Sequence, residues 1–193
     1  WTPGATVIGG TSKKTFDQLI QSIFANNEQG FFYDPNDLST MFQDSAGATP
    51  VTAVGQPVGL IRDKSGRNNH AFQTKSASRP ILQRNATTGA YYLAFDGADD
   101  FLQTNNIDFT ATDKMSLFVG VTKLADSAQI IAELSSSIST NTGSFYLAAV
   151  ASGGGNGYMS LARGSANIDI SQAARNFTSS TPDVAVLSVK HDI

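Results

Sequence analysis

One segment near the start of the chain has the hydrophobic spacing of an amphipathic α-helix. Thr15 and Gln18 are spaced as a capping box, in which each side chain binds the backbone N–H of the other. Asn26, Asn27 and Gly30 follow, and these residue types favour the end of a helix. The pattern therefore predicts one helix over Thr15–Phe24. Its apolar residues recur at i, i+3, i+4, i+7 and i+8 and share one stripe: Phe16, Leu19, Ile20, Ile23 and Phe24.

The remainder of the chain has the pattern of short β-strands separated by turns. Segments rich in β-branched and aromatic residues alternate with Gly, Ser, Thr and Asn, with no helical periodicity between them. Such a series predicts a mainly β fold, an antiparallel two-sheet sandwich rather than a parallel sheet. The predicted strands are Pro57–Ile61, Tyr91–Phe95, Phe101–Thr104, Met115–Lys123, Gln129–Leu134, Gly143–Val150, Tyr158–Arg163 and Val184–Lys190.

Two further segments precede the first predicted strand. Trp1–Ser12 is rich in Gly and Thr, and we expect it to form an extended arm. Asp34 and Pro35 are residue types favoured at a helix start, so they predict a brief helical turn through Leu38 to Phe42.

Composition narrows the classes of function. The chain has 193 residues, of which 15% are charged, with a net charge of -3 and no cysteine. The low charge disfavours coiled coils, the acidic balance disfavours a nucleic-acid partner, and the lack of cysteine removes thiolate sites and thiol nucleophiles. No apolar run approaches the roughly 18 residues of a membrane span, and no signal peptide is recognisable. We therefore expect no membrane insertion.

Two polar segments between predicted strands carry candidate chemistry. Asp63–Asn69 predicts a long polar turn, in which Gly66 and the Asn residues tolerate positive φ. Asp96, Asp99 and Asp100 offer the carboxylate oxygens that Ca²⁺ requires, and no other cofactor is expected. The alternative, which we favour, is that Asp96 and Gly97 form a hairpin turn whose backbone N–H groups are satisfied by these acids.

The motif around the acidic cluster resembles a known family. Tyr91–Thr104 is similar to the "strand, Phe-Asp-Gly-x-Asp-Asp, strand" segment of laminin-G-like domains, which belong to the concanavalin A-like jelly-roll group. Upstream, Asp63–Ala71 is similar to the Asp-x-Ser-Gly-x-x-Asn-His turn that precedes this segment. Tyr33–Phe42 and Pro50–Val58 look like the segment that opens such domains in virion proteins of tailed bacteriophages and prophages. The resemblance covers roughly Gly30 to Ile193.

The resemblance implies a jelly roll carried on a phage particle. Together with the arm and amphipathic helix predicted above for residues 1–30, it implies a laminin-G-like jelly roll over residues 31–193. A full jelly roll has further strands after Val184–Lys190, so we expect this one to be truncated at its C-terminal end. The implied function is that of a virion structural protein, in a tail fibre or another surface component. The implied partners are other virion proteins and copies of the chain itself, on a particle made in the host cytoplasm.

Two other functions stay open at this point. A jelly roll of this group can serve as a lectin-like module that binds host-surface glycan, although no glycan-binding residues can be singled out here. Polysaccharide depolymerisation is less favoured, because hydrolases need two carboxyls facing one glycosidic bond. Glu28 and Glu133 have no carboxylate two residues away, as the Glu-x-Asp-x-Glu motif of related glucanases requires. His70 and His191 have no local catalytic partner, so we expect no enzyme activity.

The apolar stripe of the predicted helix has two interpretations. It packs under the edge of its own sandwich, or it meets partner subunits at an assembly interface. Five apolar residues, two of them Phe, form a strong stripe for so short a helix. We therefore take Phe16, Leu19, Ile20, Ile23 and Phe24 as the candidate assembly interface.

Overall fold

A computed structural model of the chain describes residues 13–112, 114–125, 127–135, 144–150, 156–163, 168–169, 175–177 and 183–192. These residues form a mainly β protein with several antiparallel sheets and one α-helix, which confirms the predicted β class. The predicted arm, Trp1–Ser12, lies outside them. The chain divides between Asp108 and Phe109 into two compact units. The helix belongs to the first unit and is hydrogen-bonded within it through Arg67, and the predicted division after residue 30 stays a prediction.

The helix α1, Phe16–Ile23, forms where the sequence predicts it. Thr15 caps it: the Thr15 N–H donates to Gln18 Oε1 (2.9 Å), and the Gln18 N–H donates to Thr15 Oγ1 (3.2 Å). Both halves of the predicted capping box are therefore present. Beyond the helix, Asn27 and Gly30 have positive φ values of 68° and 149°, which are incompatible with a continued right-handed helix.

Three short strands and one hairpin make up the β structure of the first unit. Strands β1 (Met41–Phe42), β2 (Leu60–Ile61) and β3 (Ala71–Phe72) pair antiparallel in that order. Strands β4 (Ile81–Arg84) and β5 (Tyr91–Ala94) form the hairpin. Because the strands are so short, packing must supply much of their stability. The buried core consists of Met41, Val51, Val58, Ile61, Ala71 and Leu82.

The structure corrects two sequence predictions in this unit. The helical turn predicted through Leu38 to Phe42 is a 3₁₀ turn over Leu38–Thr40, capped by Asp37 rather than Asp34, and Met41 and Phe42 belong to β1. Met41 and Phe42 are extended rather than helical because they pair with β2 in the antiparallel sheet and are buried there.

The second correction concerns the residues that follow the Asp96–Gly97 turn. Phe101–Thr104 does not form a strand paired with β5, so the predicted hairpin is wrong. The Phe101 N–H donates to Ser78 O, and Gln103 forms a single antiparallel bridge with Phe72 of β3. Strand β5 pairs instead with β4, whose apolar residues precede it in sequence.

The second unit contains two antiparallel sheets. Strand β6 (Lys114–Lys123) pairs over ten residues with β12 (Asp183–Asp192), so the first and last strands of the unit lie side by side. The strands of the other sheet are β7 (Gln129–Leu134), β8 (Phe145–Val150), β9 (Asn156–Arg163), β10 (Ile168–Asp169) and β11 (Arg175–Phe177). They lie in the order β10-β9-β8-β7, with β11 also paired to β9.

Gly59 allows the turn after β1 to approach β2. A Cβ atom at Gly59 would lie 2.7 Å from the carbonyl oxygen of Gln43 and 2.8 Å from the carbonyl carbon of Asp44. We expect Gly59→Ala to lower the free energy of unfolding by about 2 kcal/mol, because backbone atoms must shift to relieve this overlap. The measurement is urea denaturation followed by circular dichroism. Gly120→Ala is the control, since its Cβ would meet no atom within 4 Å. Equal midpoints for Gly59→Ala and the parent chain would contradict the prediction.

Candidate functional site

The polar turn Asp63–His70 is organised around the carboxylate of Asp63, a buried residue. Its Oδ1 accepts hydrogen bonds from the backbone N–H groups of Phe32 and Ser65, both at 2.8 Å. Its Oδ2 accepts from Ser65 Oγ (2.7 Å) and the Asn69 N–H (3.0 Å). Four donors thus occupy the two oxygens, and bonds to an ionised acceptor are stronger than neutral ones. The carboxylate therefore closes the turn and attaches the segment around Phe32 to it.

The same turn holds the residues that follow α1. Asn69 Nδ2 donates to Gly30 O (2.7 Å), and the Tyr33 hydroxyl donates to Asn69 O. The guanidinium of Arg67 donates to Asn27 Oδ1 (3.1 Å) and to Phe24 O at the end of the helix. Burial, with a smaller contribution from the charge of Asp63, raises the pKa of the Tyr33 hydroxyl well above its ordinary value. This hydroxyl therefore remains a donor at all physiological pH values.

Lys64 provides a second, ionic link to the start of α1. Its Nζ lies 2.9 Å from Asp37 Oδ2, 3.0 Å from Asp17 Oδ1 and 3.7 Å from Asp34 Oδ2. The hydrogen bonds from Lys64 and then from Ser39 lower the pKa of Asp37 below its usual value. Burial alone would lower the pKa of Lys64, but its bonds to Asp37 and Asp17 raise it. Sequence reasoning missed this cluster, because Asp17, the Asp34–Asp37 segment and Lys64 are far apart along the chain.

The apolar stripe of α1 is split by its attachment to the first unit. Ile20 is buried, and Phe24 packs on Gly30, where an added Cβ would lie 2.9 Å from the ring. The other three residues of the candidate interface stay largely exposed: Phe16 by 57%, Leu19 by 49% and Ile23 by 62%. Phe16 also makes an edge contact with Phe32, with 5.6 Å between ring centroids. One edge of the stripe therefore packs against its own unit, and the assembly interface stays a prediction for the exposed edge.

The three acids of the candidate calcium site lie together, with carboxylate oxygens within 4.8 Å of one another. Asp96 Oδ1 accepts from the backbone N–H groups of Ala98, Asp99 and Asp100, at 2.8 to 3.3 Å, and these bonds lower the pKa of Asp96. Asp100 Oδ2 accepts from the Asp96 N–H at 3.0 Å. The acids therefore close the turn themselves, as the favoured interpretation expects. Calcium binding stays a prediction.

Asp99 has partners beyond this turn. Its Oδ2 accepts hydrogen bonds from Lys75 Nζ (2.7 Å) and Ser78 Oγ (2.6 Å). The bond from Lys75 and then that from Ser78 lower the pKa of Asp99. One of the three carboxylates thus already faces a cation of the chain, which a calcium ion would have to displace.

An open depression with a volume of about 650 Å³ borders the Asp63–His70 turn. His70 lines it, and its Nδ1 accepts the Asp63 N–H at 3.0 Å. In the neutral ring the proton is therefore on Nε2, which leaves Nε2 as a donor. Sequence reasoning did not find this depression, because its walls come from distant segments. The lining residues are Ser45, Ala46, Leu60, Arg62, Asp63, Asn68, His70, Phe72 and Asn105.

The carboxylates considered for hydrolysis lie in different units. Glu28 accepts from the Asn26 N–H (2.7 Å) and from Asn26 Nδ2 (3.0 Å). A backbone hydrogen bond and then the Asn26 side chain lower its pKa, which is opposite to the shift that a general acid needs. Glu133 lies on β7 opposite Tyr146, and His191 lies on β12 opposite Met115.

Comparisons with known proteins do not assign the chain to a family. Models of protein families, curated proteins and solved structures were each compared with it, and none matches. Among the described residues, no helix is both long enough and apolar enough to cross a membrane.

We expect Asp63→Asn to destabilise the first unit by about 2 kcal/mol. Each oxygen of Asp63 accepts two donors, so either orientation of the new amide places its NH₂ group against donors. Urea denaturation measures the loss. Asp44→Asn is the control, because Asp44 also binds three backbone N–H groups but lies in a surface turn, where water can replace them. An equal loss in both variants would contradict a special role for Asp63.

Acid should break the pair between Asp37 and Lys64, which helps to hold Lys64 against Asp17 at the start of α1. The pKa of Asp37 is lowered in the folded chain, so its contribution is complete above its unfolded pKa of about 3.9 and is lost as the pH falls through the lower folded value. NMR chemical shifts of the α1 amides should follow this loss. Lys64→Gln should produce the same shift changes at neutral pH, whereas Lys75→Gln, at an exposed pair, should not. Unchanged α1 shifts in Lys64→Gln would refute the ionic link.

Proposed function

We propose that the chain is a non-enzymatic structural protein of a bacteriophage particle, which assembles with copies of itself through α1. One observation carries this proposal. Phe16, Leu19 and Ile23 are exposed on a helix that is held in place by Lys64, Arg67 and the packing of Ile20. Monomeric proteins rarely expose adjoining large apolar side chains on a fixed helix, so this edge is best explained as an interface.

The energetics favour association through this edge. Complete burial of a fully exposed Leu, Ile or Phe side chain contributes about 1.5–3 kcal/mol to the free energy of association. Phe16, Leu19 and Ile23 are each about half exposed, so each can contribute roughly half of that value. The helix is already attached to the turn, so little backbone freedom would be lost on binding. The capping box and the Lys64–Asp17 pair also fix the first turn of the helix, which lowers that cost further.

We also propose that the β structure is a laminin-G-like jelly roll displayed on the particle. The antiparallel sheets support it, as does the pairing of the first and last strands of the second unit over ten residues. The polar turn motif beginning at Asp63 supports it as well, because this turn holds neighbouring segments together. The pairing of β5 with β4 instead of Phe101–Thr104 departs from the motif that suggested the family.

The place on the particle rests on the resemblance of the opening segments to virion proteins. We propose a tail fibre or another surface component, with other virion proteins as further partners. Hydrolysis of polysaccharide is the least supported alternative, because the carboxylate of Glu28 is bound to Asn26 and its pKa is lowered, opposite to the shift that a general acid needs. A lectin-like role has one observation in its favour, the open depression lined in part by His70.

Substitution of the exposed edge tests the assembly proposal. We expect the parent chain to self-associate at micromolar concentrations, and the double variant Leu19→Lys, Ile23→Lys to weaken association by about 100-fold, because charges in an apolar interface lose their hydration. Sedimentation velocity over a concentration series measures both.

Gln21→Lys is the matched control, since it adds a charge at an exposed position of the same helix but outside the stripe. It should leave the dissociation constant unchanged. A parent chain that stays monomeric at all concentrations would overturn the proposal. So would a double variant that associates as tightly as the parent.

A further inference from the structure

The open depression of the first unit is lined mainly by polar side chains, and three of them, Arg62, Asn68 and Asn105, form no side-chain hydrogen bond or ion pair among the described residues. Asn68 and Asn105 are exposed, and within the described part of the chain neither amide has a hydrogen-bond partner. Each amide presents both a donor and an acceptor. Paired donor and acceptor groups match sugar hydroxyls, which also donate and accept.

Arg62 supplies the positive charge at this site. Its guanidinium lies over the ring of Phe42, with Cζ 4.5 Å from the ring centroid. Among the described residues no carboxylate forms an ion pair with it. Stacking on Phe42 orients the guanidinium without using its N–H donors. It is therefore free to bind a carboxylate through two parallel hydrogen bonds.

The carboxylate of Asp63, which also borders the depression, does not compete for Arg62. Its two oxygens already accept four hydrogen bonds, three from the turn and one from Phe32. Its backbone N–H fixes the ring of His70, so Nε2 adds one more donor to the same wall. Phe72 and Leu60 contribute an apolar wall, which suits the C–H face of a sugar ring.

From this combination we infer that the depression binds an acidic saccharide, with the carboxylate of a uronic acid on Arg62 and hydroxyl groups on His70, Asn68 and Asn105. The openness of the depression allows a residue within a longer chain to enter. This inference goes beyond the proposed assembly role, because it concerns a different surface and a different class of partner. Loss of self-association in the α1 variants would leave it untouched.

An NMR titration of the ¹⁵N-labelled full chain with trigalacturonate tests the inference. We expect shifts at the backbone amides of Arg62, Asn68 and His70, and saturation in the millimolar range. Methyl-esterified trigalacturonate, which has the same rings but no charge, should bind about tenfold more weakly. Acetate should not saturate in the same range, because it lacks the hydroxyl groups.

Two variants locate the binding. Arg62→Met should weaken trigalacturonate binding by about tenfold, since a charge-assisted hydrogen-bond pair is lost. Asn68→Gly should weaken it by a smaller factor, and glycine accepts the φ of 60° found at this position. Arg84→Met is the matched control, because Arg84 also lies over an aromatic ring, Tyr91, but outside the depression.

Four results would each overturn the inference. Absence of saturable trigalacturonate binding would remove the site. Equal binding of the charged and esterified sugars would remove the role of Arg62. Equal binding of acetate would reduce the depression to a general anion site, and equal effects of Arg62→Met and Arg84→Met would place the binding elsewhere.

Discussion

The carboxylate of Asp63 is the interaction on which the first unit depends. It binds four donors from Phe32, Ser65 and Asn69, and so joins the segment after the helix to the turn that precedes β3. A buried charge is tolerated only where its hydrogen bonds replace water, and here the turn provides three of them and Phe32 the fourth. The turn can therefore hold the residues after α1 in a fixed position, although the strands on either side are only two residues long.

One turn thereby supports two surfaces. On one side, Lys64 and Arg67 hold α1, so that Ile20 is buried while the edge formed by Phe16, Leu19 and Ile23 is exposed. On the other side, the Asp63 N–H orients His70 in the wall of the open depression. Both surfaces are attached to the same turn, so a partner of either would meet side chains that are already held in place.

The sequence predicted those elements that depend mainly on interactions between residues close along the chain. The helix, its capping box, the polar turn at Asp63 and the long strands β6 and β12 all follow from spacing and residue type. Strand partners were less predictable, because β5 can pair with either neighbour in sequence and packing selects β4. The Lys64 cluster and the depression combine residues more than 20 positions apart, such as Asp37 and Lys64. Contacts over such distances along the chain cannot be predicted from the spacing of residue types.

The central claim is that the exposed edge of α1 meets a second copy of the chain. Isotope-filtered nuclear Overhauser effects, measured on a mixture of ¹³C-labelled and unlabelled chains, test it most directly. The account predicts intermolecular effects at the methyl groups of Leu19 and Ile23 and none at Ile20, which faces its own unit. Intermolecular effects confined to other surfaces, such as the exposed Phe118 and Val186 of the β6–β12 sheet, would contradict it.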